Sequence, residues 1–166
     1  QVIMVHRQEA TVTRTPSFAM ESPLADDLAL LFQRHTADMQ ADTPPESIHM
    51  MPREDLVSPD IDFFVLRQDG AAVGMAALKR LDPTHGELKA MHVLAEARGS
   101  GLSRLMLDRL IDHARRVGLS RLSLETGAQP SFAAARALYS RGGFGECPPF
   151  GSYRLDPNSV FMTRTL

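Results

Sequence analysis

One cysteine, Cys147, stands in the 166 residues. No internal disulfide can form and no cysteine-based metal site can be assembled, so a reducing cytoplasm is the expected setting. Net charge is slight, at −2, which gives no global electrostatic case for nucleic acid or an anionic membrane as partner. No apolar run approaches the length of a membrane span, and no signal-peptide pattern is visible. Internal repeats and low-complexity segments are missing as well. What remains is the profile of one domain, long enough to bury a core. Its 18 Lys and Arg gather somewhat over residues 98–121.

Residues 1–16 read as an extended N-terminal arm or tail, with the domain over 17–166. A short strand is expected over 17–21. Ser22 followed by Pro23 signals a helix start, and Leu24, Leu28, Leu31, Phe32 and His35 fall on one helical face. Pro52 opens a short helical turn. Strands over 61–67 and 72–80 flank Gln68-Asp69-Gly70 as a hairpin, and a third strand covers 87–93. Residues 102–117 make an amphipathic helix, with Leu102, Leu105, Met106, Leu110 and Val117 in step and Gly118 as its cap. A strand over 121–125, a helix over 131–140 with Ser131 as N-cap, and closing strands over 144–147 and 160–164 complete the order β-α-βββ-α-β-α-β-β. The closing strands leave edges that a second copy would cover, so a homodimer is one expectation.

The stretch that carries chemistry runs from Met91 to Ser103: Met-His-Val-Leu-Ala-Glu-Ala-Arg-Gly-Ser-Gly-Leu-Ser. A strand ends at Val93, a glycine-punctuated loop follows, and a helix begins near Leu102. Backbone N–H groups and a helix dipole then converge on one point, which suits an anionic phosphate. No Gly-Lys-Ser/Thr follows, so it is not a P-loop. No parallel βαβ unit with a suitably placed acid is evident, so it is not a dinucleotide fingerprint.

Arg98, Gly101 and Ser103 fall on the fixed positions of Gln/Arg-x-x-Gly-x-Gly/Ala. Ser103 stands where Gly or Ala is usual. Downstream, Ala135 to Phe144 matches Ala-x-x-Leu-Tyr-x-x-x-Gly-Phe through Leu138, Tyr139, Gly143 and Phe144. With these two motifs the chain resembles the GCN5-related N-acetyltransferases (GNAT) over 17–166. Phe132 replaces an Asn often found seven residues before the tyrosine. The segments Pro44–His49, Gly86–Lys89, Ser123–Gly127 and Asp156–Met162 look like one bacterial small-molecule subfamily. Some of its members are called indole-3-acetic acid acetyltransferases, although that acid offers no aliphatic amine.

The resemblance implies an α+β (α/β) fold, with a mixed, mostly antiparallel central sheet splayed at the cofactor site and flanked by helices. It implies acetyl-CoA as acetyl donor, no metal, and a small-molecule amine as acceptor in a ternary complex. Pyrophosphate would lie on Gly99, Ser100, Gly101, Leu102 and Ser103, helped by Arg98 or Arg104. Pantetheine would lie along Met91, His92 and Val93, near Phe132 and Tyr139. The Val93 N–H would polarise the thioester carbonyl, Glu87 would act as base through water, and Tyr139 would protonate the leaving thiolate. His49 and His92 are rival bases, with more suitable unperturbed pKa values. His92 alternates away from Glu87 along a regular strand unless a bulge intervenes. The other histidines, His6, His35, His85 and His113, read as surface. Glu46, His49, Tyr153, Arg154 and Ser159 are the acceptor-site candidates. Two other functions stay open: a catalytically silent acyl-CoA-binding module and a protein acetyltransferase.

Overall fold

The computed structural model describes residues 15–166; residues 1–14 of the expected arm, His6 included, lie outside them. The elements are β1 (Ser17–Met20), α1 (Ala29–Asp42), β2 (Ile61–Gln68), β3 (Ala71–Arg80), β4 (His85–Val93), α2 (Leu102–Arg116), β5 (Arg121–Gly127), α3 (Ala133–Arg141), β6 (Gly145–Glu146) and β7 (Ser159–Thr165). Their order is the one expected. The seven strands form one sheet in the order β1-β2-β3-β4-β5-β7-β6. Neighbours are antiparallel except β4 and β5, which are parallel. This is the mixed, mostly antiparallel α+β sheet.

Both faces of the sheet are covered, which is why β2 reads as an almost unbroken apolar run. Phe64, Leu66, Ala76, Leu78 and Leu88 point to one face and pack with Leu102, Met106 and Leu110 of α2. Their neighbours in sequence, Phe63, Val65, Met75 and Ala77, point to the other face and pack with Leu28 and Leu31 at α1. The β2–β3 turn places Asp69 and Gly70 both at positive φ, 51° and 83°, the geometry of a tight hairpin turn. Gly118, at φ 87°, ends α2, and the Leu119 N–H reaches back to the Ala114 carbonyl at 2.9 Å.

Three local expectations are corrected. Leu24 is 49% exposed rather than part of the α1 face. The carbonyls of Pro23 and Ala25 accept from the Arg53 guanidinium, each at 2.6 Å, and the chain enters α1 only after a single turn at Asp26–Leu28. Ser131 does not cap α3; a turn at Pro130–Phe132 leads into it. Val117 lies beyond the last turn of α2 and is exposed.

His113 is not a free surface side chain either. It reaches the buried Asp62 carboxylate at 2.8 Å, opposite Arg80 at 2.8 Å. Burial works against that carboxylate, but the bonds from Arg80 and His113 outweigh it and hold Asp62 below the usual range. No helix among the described residues is long and apolar enough to cross a membrane.

Candidate active site

The parallel pairing of β4 with β5 runs only from His85 opposite Arg121 to Leu88 opposite Leu124. Beyond it β4 continues to Val93 and β5 to Gly127, so the sheet opens between them. Into this opening β4 presents unpaired backbone groups. The Leu94 N–H turns back to Val73 O on β3 at 2.9 Å. Successive amides of an extended chain point to opposite sides, so the Val93 N–H faces the opening.

A bulge then changes which side chains share a face. Lys89 pairs with Ala77 and His92 with Met75, so β4 has one residue more than β3 across this interval. Ala90 takes up the excess at φ 53°. Glu87, Lys89 and His92 therefore all point to the α1 face. On β5, Leu124 packs into the α2 side of the core, which sends Glu125 to the α1 face beside them.

The carboxylates are held differently. Glu87 is 3% exposed, and its Oε2 accepts from the Tyr153 hydroxyl at 2.5 Å and from Lys89 Nζ at 3.2 Å. Lys89 Nζ also reaches the Tyr153 hydroxyl at 3.0 Å. Burial pushes the Tyr153 phenol far up, and the Glu87 charge adds to the effect. Among the described residues, Glu125 accepts only from the Ser159 hydroxyl, at 2.9 Å. Burial pushes its carboxyl up, against the pull of that hydroxyl, His49 and Lys89. Tyr139, on α3 at the other side of the opening, is buried, and its phenol is pushed up to about 12 by burial and by the Glu125 charge. The His49 ring stands edge-on to Tyr153 at 5.1 Å.

Sequence reasoning missed Lys89 and Glu125 as members of this group. The signal was present in the alternation Glu87-x-Lys89 and in the position of Glu125 at the end of its strand.

The remaining candidates fall into three groups. At the loop, Gly99 and Gly101 take φ 85° and 80°, and a Cβ on either would meet nothing within 4 Å. The loop thus leaves an open backbone surface at the start of α2, which fits an anionic diphosphate. Leu102 is buried there, Ser103 is half-buried, and the Ser100 hydroxyl bonds Ala97 O. Arg104 pairs with Asp108 and, with Arg141 and Arg164, lines a basin of about 610 Å³. Arg98 bends back instead, donating to Val93 O at 2.9 Å and to Asp38 of α1 at 3.3 Å. Near the opening, Met91 packs toward α2 and the Phe132 ring covers Gly127. Of the acceptor candidates, Tyr153, Ser159 and His49 join the cluster, while Glu46 and Arg154 are exposed and do not.

Two histidines expected at the surface are not there. His35 of α1 packs on His92, with ring centroids 5.3 Å apart. Burial pulls each down to about 4, and His92 Nε2 has no hydrogen-bond partner among the described residues. His85 bonds the Ser123 hydroxyl at 2.6 Å. No group of metal-ligating side chains occurs among the described residues.

A loop-anchored opening with a phenol on one side and two carboxylates on the other is set out for acyl transfer. Residues 28–144 match the acetyltransferase (GNAT) family. The chain belongs to this family. The N-acetyltransferase YsnE of Bacillus subtilis is 43% identical over 136 residues, 82% of this chain and 90% of that one. The IAA acetyltransferase of Azospirillum brasilense is 41% identical over 155 residues, 90% and 97% of the two chains. The N-acetylglutamate synthase of Neisseria gonorrhoeae, solved with coenzyme A and N-acetyl-glutamate, has a TM-score of 0.67. At 20% identity, with 90% of this chain and 35% of that one covered, it shows the shared fold. As a GNAT protein, the chain is an N-acetyltransferase.

Proposed function

We propose that this GNAT enzyme moves an acetyl group from acetyl-CoA to the amine of a small molecule by direct attack in a ternary complex. The observation that carries this reading is the opening between β4 and β5. The Val93 N–H faces it, with Tyr139 on one side and Glu87 and Glu125 on the other. Bound acetyl-CoA supplies an acetyl group activated as a thioester. The Gly99–Ser103 backbone and Arg104 hold its diphosphate, and Arg98 ties that loop to Val93.

The Val93 N–H donates to the carbonyl oxygen, where charge develops; such a donor is typically worth roughly 3–4 kcal/mol. The amine nitrogen forms its bond to the carbonyl carbon as the carbon–sulfur bond breaks. The amine proton passes to a carboxylate, and Tyr139 gives its phenolic proton to the departing sulfur.

Glu125 is the better placed carboxylate to receive that proton. Its oxygens carry no cation, and burial favours its protonated form. Glu87 is bound to Lys89 and Tyr153 and serves to hold the ammonium before it is deprotonated. His92 is nearly enclosed and held neutral, which argues against its carrying the proton out. A cytoplasmic setting fits the lone half-buried thiol. A homodimer would cover the sheet edge at β1 or β6.

The name of the Azospirillum relative points to indole-3-acetate, which has no aliphatic amine to be acetylated by this chemistry. The test is acetyl-CoA turnover over amines, amino acids and indole-3-acetate, with Glu125→Gln, Glu87→Gln and Tyr139→Phe. Loss of a general base typically lowers kcat about 10²–10⁴-fold, and the largest loss is expected for Glu125→Gln. Full activity in Glu125→Gln with loss in Glu87→Gln makes Glu87 the base. Tight acetyl-CoA binding with no turnover on any acceptor makes the protein a binding module.

A further inference from the structure

The acetyl-accepting face carries more chemistry than the transfer step needs. Phe150 and Tyr153 come from the loop between β6 and β7, and with Phe161 of β7 they form three mutually packed rings. Centroid separations are 5.1 Å for Phe150–Tyr153, 5.4 Å for Tyr153–Phe161 and 6.0 Å for Phe150–Phe161. Phe161 is buried, but Phe150 and Tyr153 remain half-exposed. The Tyr153 hydroxyl ends on Glu87, so this aromatic wall leads directly to the carboxylates.

The charge around it has one sign to spare. Lys89 is held by Glu87 and Tyr153, and Arg136 by the carbonyls of Gly127 and Gln129. Glu125 has no ion-pair partner among the described residues. A ligand cation beside Glu125 relieves its burial, whereas a ligand carboxylate at the same place meets two negative groups. Flat apolar rings with a carboxylate at their inner end match an aromatic group joined to an ammonium.

We propose that the acceptor is a primary arylalkylamine without a carboxylate. Its ring lies on Phe150 and Tyr153, and its ammonium lies between Glu87 and Glu125. This assignment rests on the acetyl-transfer reading above, with the same bond changes: the ammonium first gives one proton to solvent, carbon–nitrogen forms as carbon–sulfur breaks, the second nitrogen proton goes to Glu125, and the sulfur takes its proton from Tyr139.

The experiment measures kcat/KM for 2-phenylethylamine, phenylalanine, butylamine and putrescine with acetyl-CoA, alongside acetyl-CoA binding by calorimetry. Phenylethylamine is expected at least tenfold above each of the others. Phe150→Leu, which keeps an apolar side chain but loses the ring, is expected to remove most of the advantage over butylamine. Phenylalanine equal to or better than phenylethylamine overturns the exclusion of carboxylates. Butylamine or putrescine equal to phenylethylamine, or an unchanged ratio in Phe150→Leu, overturns the ring assignment. In both cases acetyl transfer itself stands. Cofactor binding without turnover of any of the four amines overturns this acceptor class; if the broader amine panel is silent as well, the transferase reading falls with it.

Discussion

Acidification from pH 7 to pH 5 should weaken the fold through His35 and His92. Their rings sit together between α1 and the bulged end of β4, and burial lowers each from an ordinary 6.5 to about 4. A base whose pKa is depressed by folding binds fewer protons folded than unfolded. Its contribution is therefore intact above about 6.5 and is lost as the pH falls toward 4. For one fully shielded imidazole with that shift, the loss from pH 7 to pH 5 is about 2 kcal/mol. Water reaches His35 in part, and a first proton on the pair discourages a second, so the two together should cost about 2–3 kcal/mol. The lowered carboxyls of Asp62, Asp82 and Asp156 titrate below this window. His85, lowered by burial, and Glu125, raised by burial, add opposing background slopes that the variants share. The measurement is urea unfolding followed by circular dichroism at pH 7, 6 and 5, for the parent and for His35→Gln and His92→Gln. Each variant should lose about half of the pH slope. An identical slope in parent and both variants would refute the placement of this pair.

Gly127→Ala puts a Cβ 2.3 Å from the Phe132 ring, and should cost about 1–3 kcal/mol in thermal or urea unfolding; adding Phe132→Leu should restore part of the loss. Asp62→Ala strands Arg80 and His113 beside a buried strand, and should destabilise by about 2–4 kcal/mol with little recovery in high salt. Arg98→Ala removes the donor to Val93 O. It should raise the KM for acetyl-CoA about tenfold, a loss near 1.4 kcal/mol, and unchanged kinetics would show that the loop holds its shape without the guanidinium.

The element order and the glycine loop were legible because they are local. Asp69-Gly70 needs two positive φ values, and α2 advertises its buried face at helical spacing. The place of the bulge was not legible from the residues, since Ala90 gives no sign in the sequence that it adopts a left-handed conformation. Without the bulge, His92 and Glu87 fall on opposite faces. With it they share one, beside Lys89, which alternates with Glu87 in either case. Glu125 escaped for a different reason: only the parallel register of β5 on β4, set by a connection more than 25 residues long, carries it to the α1 face beside Glu87. The histidines failed through partners distant in sequence, as with His35 on His92 and His113 on Asp62. Ser131 lost its capping role because Phe132 packs over Gly127 and fixes how the chain enters α3.

The gap between β4 and β5 also bears on how the chain folds. The strands from β1 to β4 are all antiparallel neighbours in chain order apart from the span of α1, so their contacts close over short loops. The group β5, β7 and β6 is antiparallel too, with β7 returning over a longer connection to lie between β5 and β6. Among the described residues, strand pairing joins the two groups only over the four pairs from His85–Arg121 to Leu88–Leu124. The contacts across that seam are non-local, and such contacts form slowly. A molecule lodged in the gap acts as mortar for that seam. Saturating acetyl-CoA should slow unfolding more than it speeds folding.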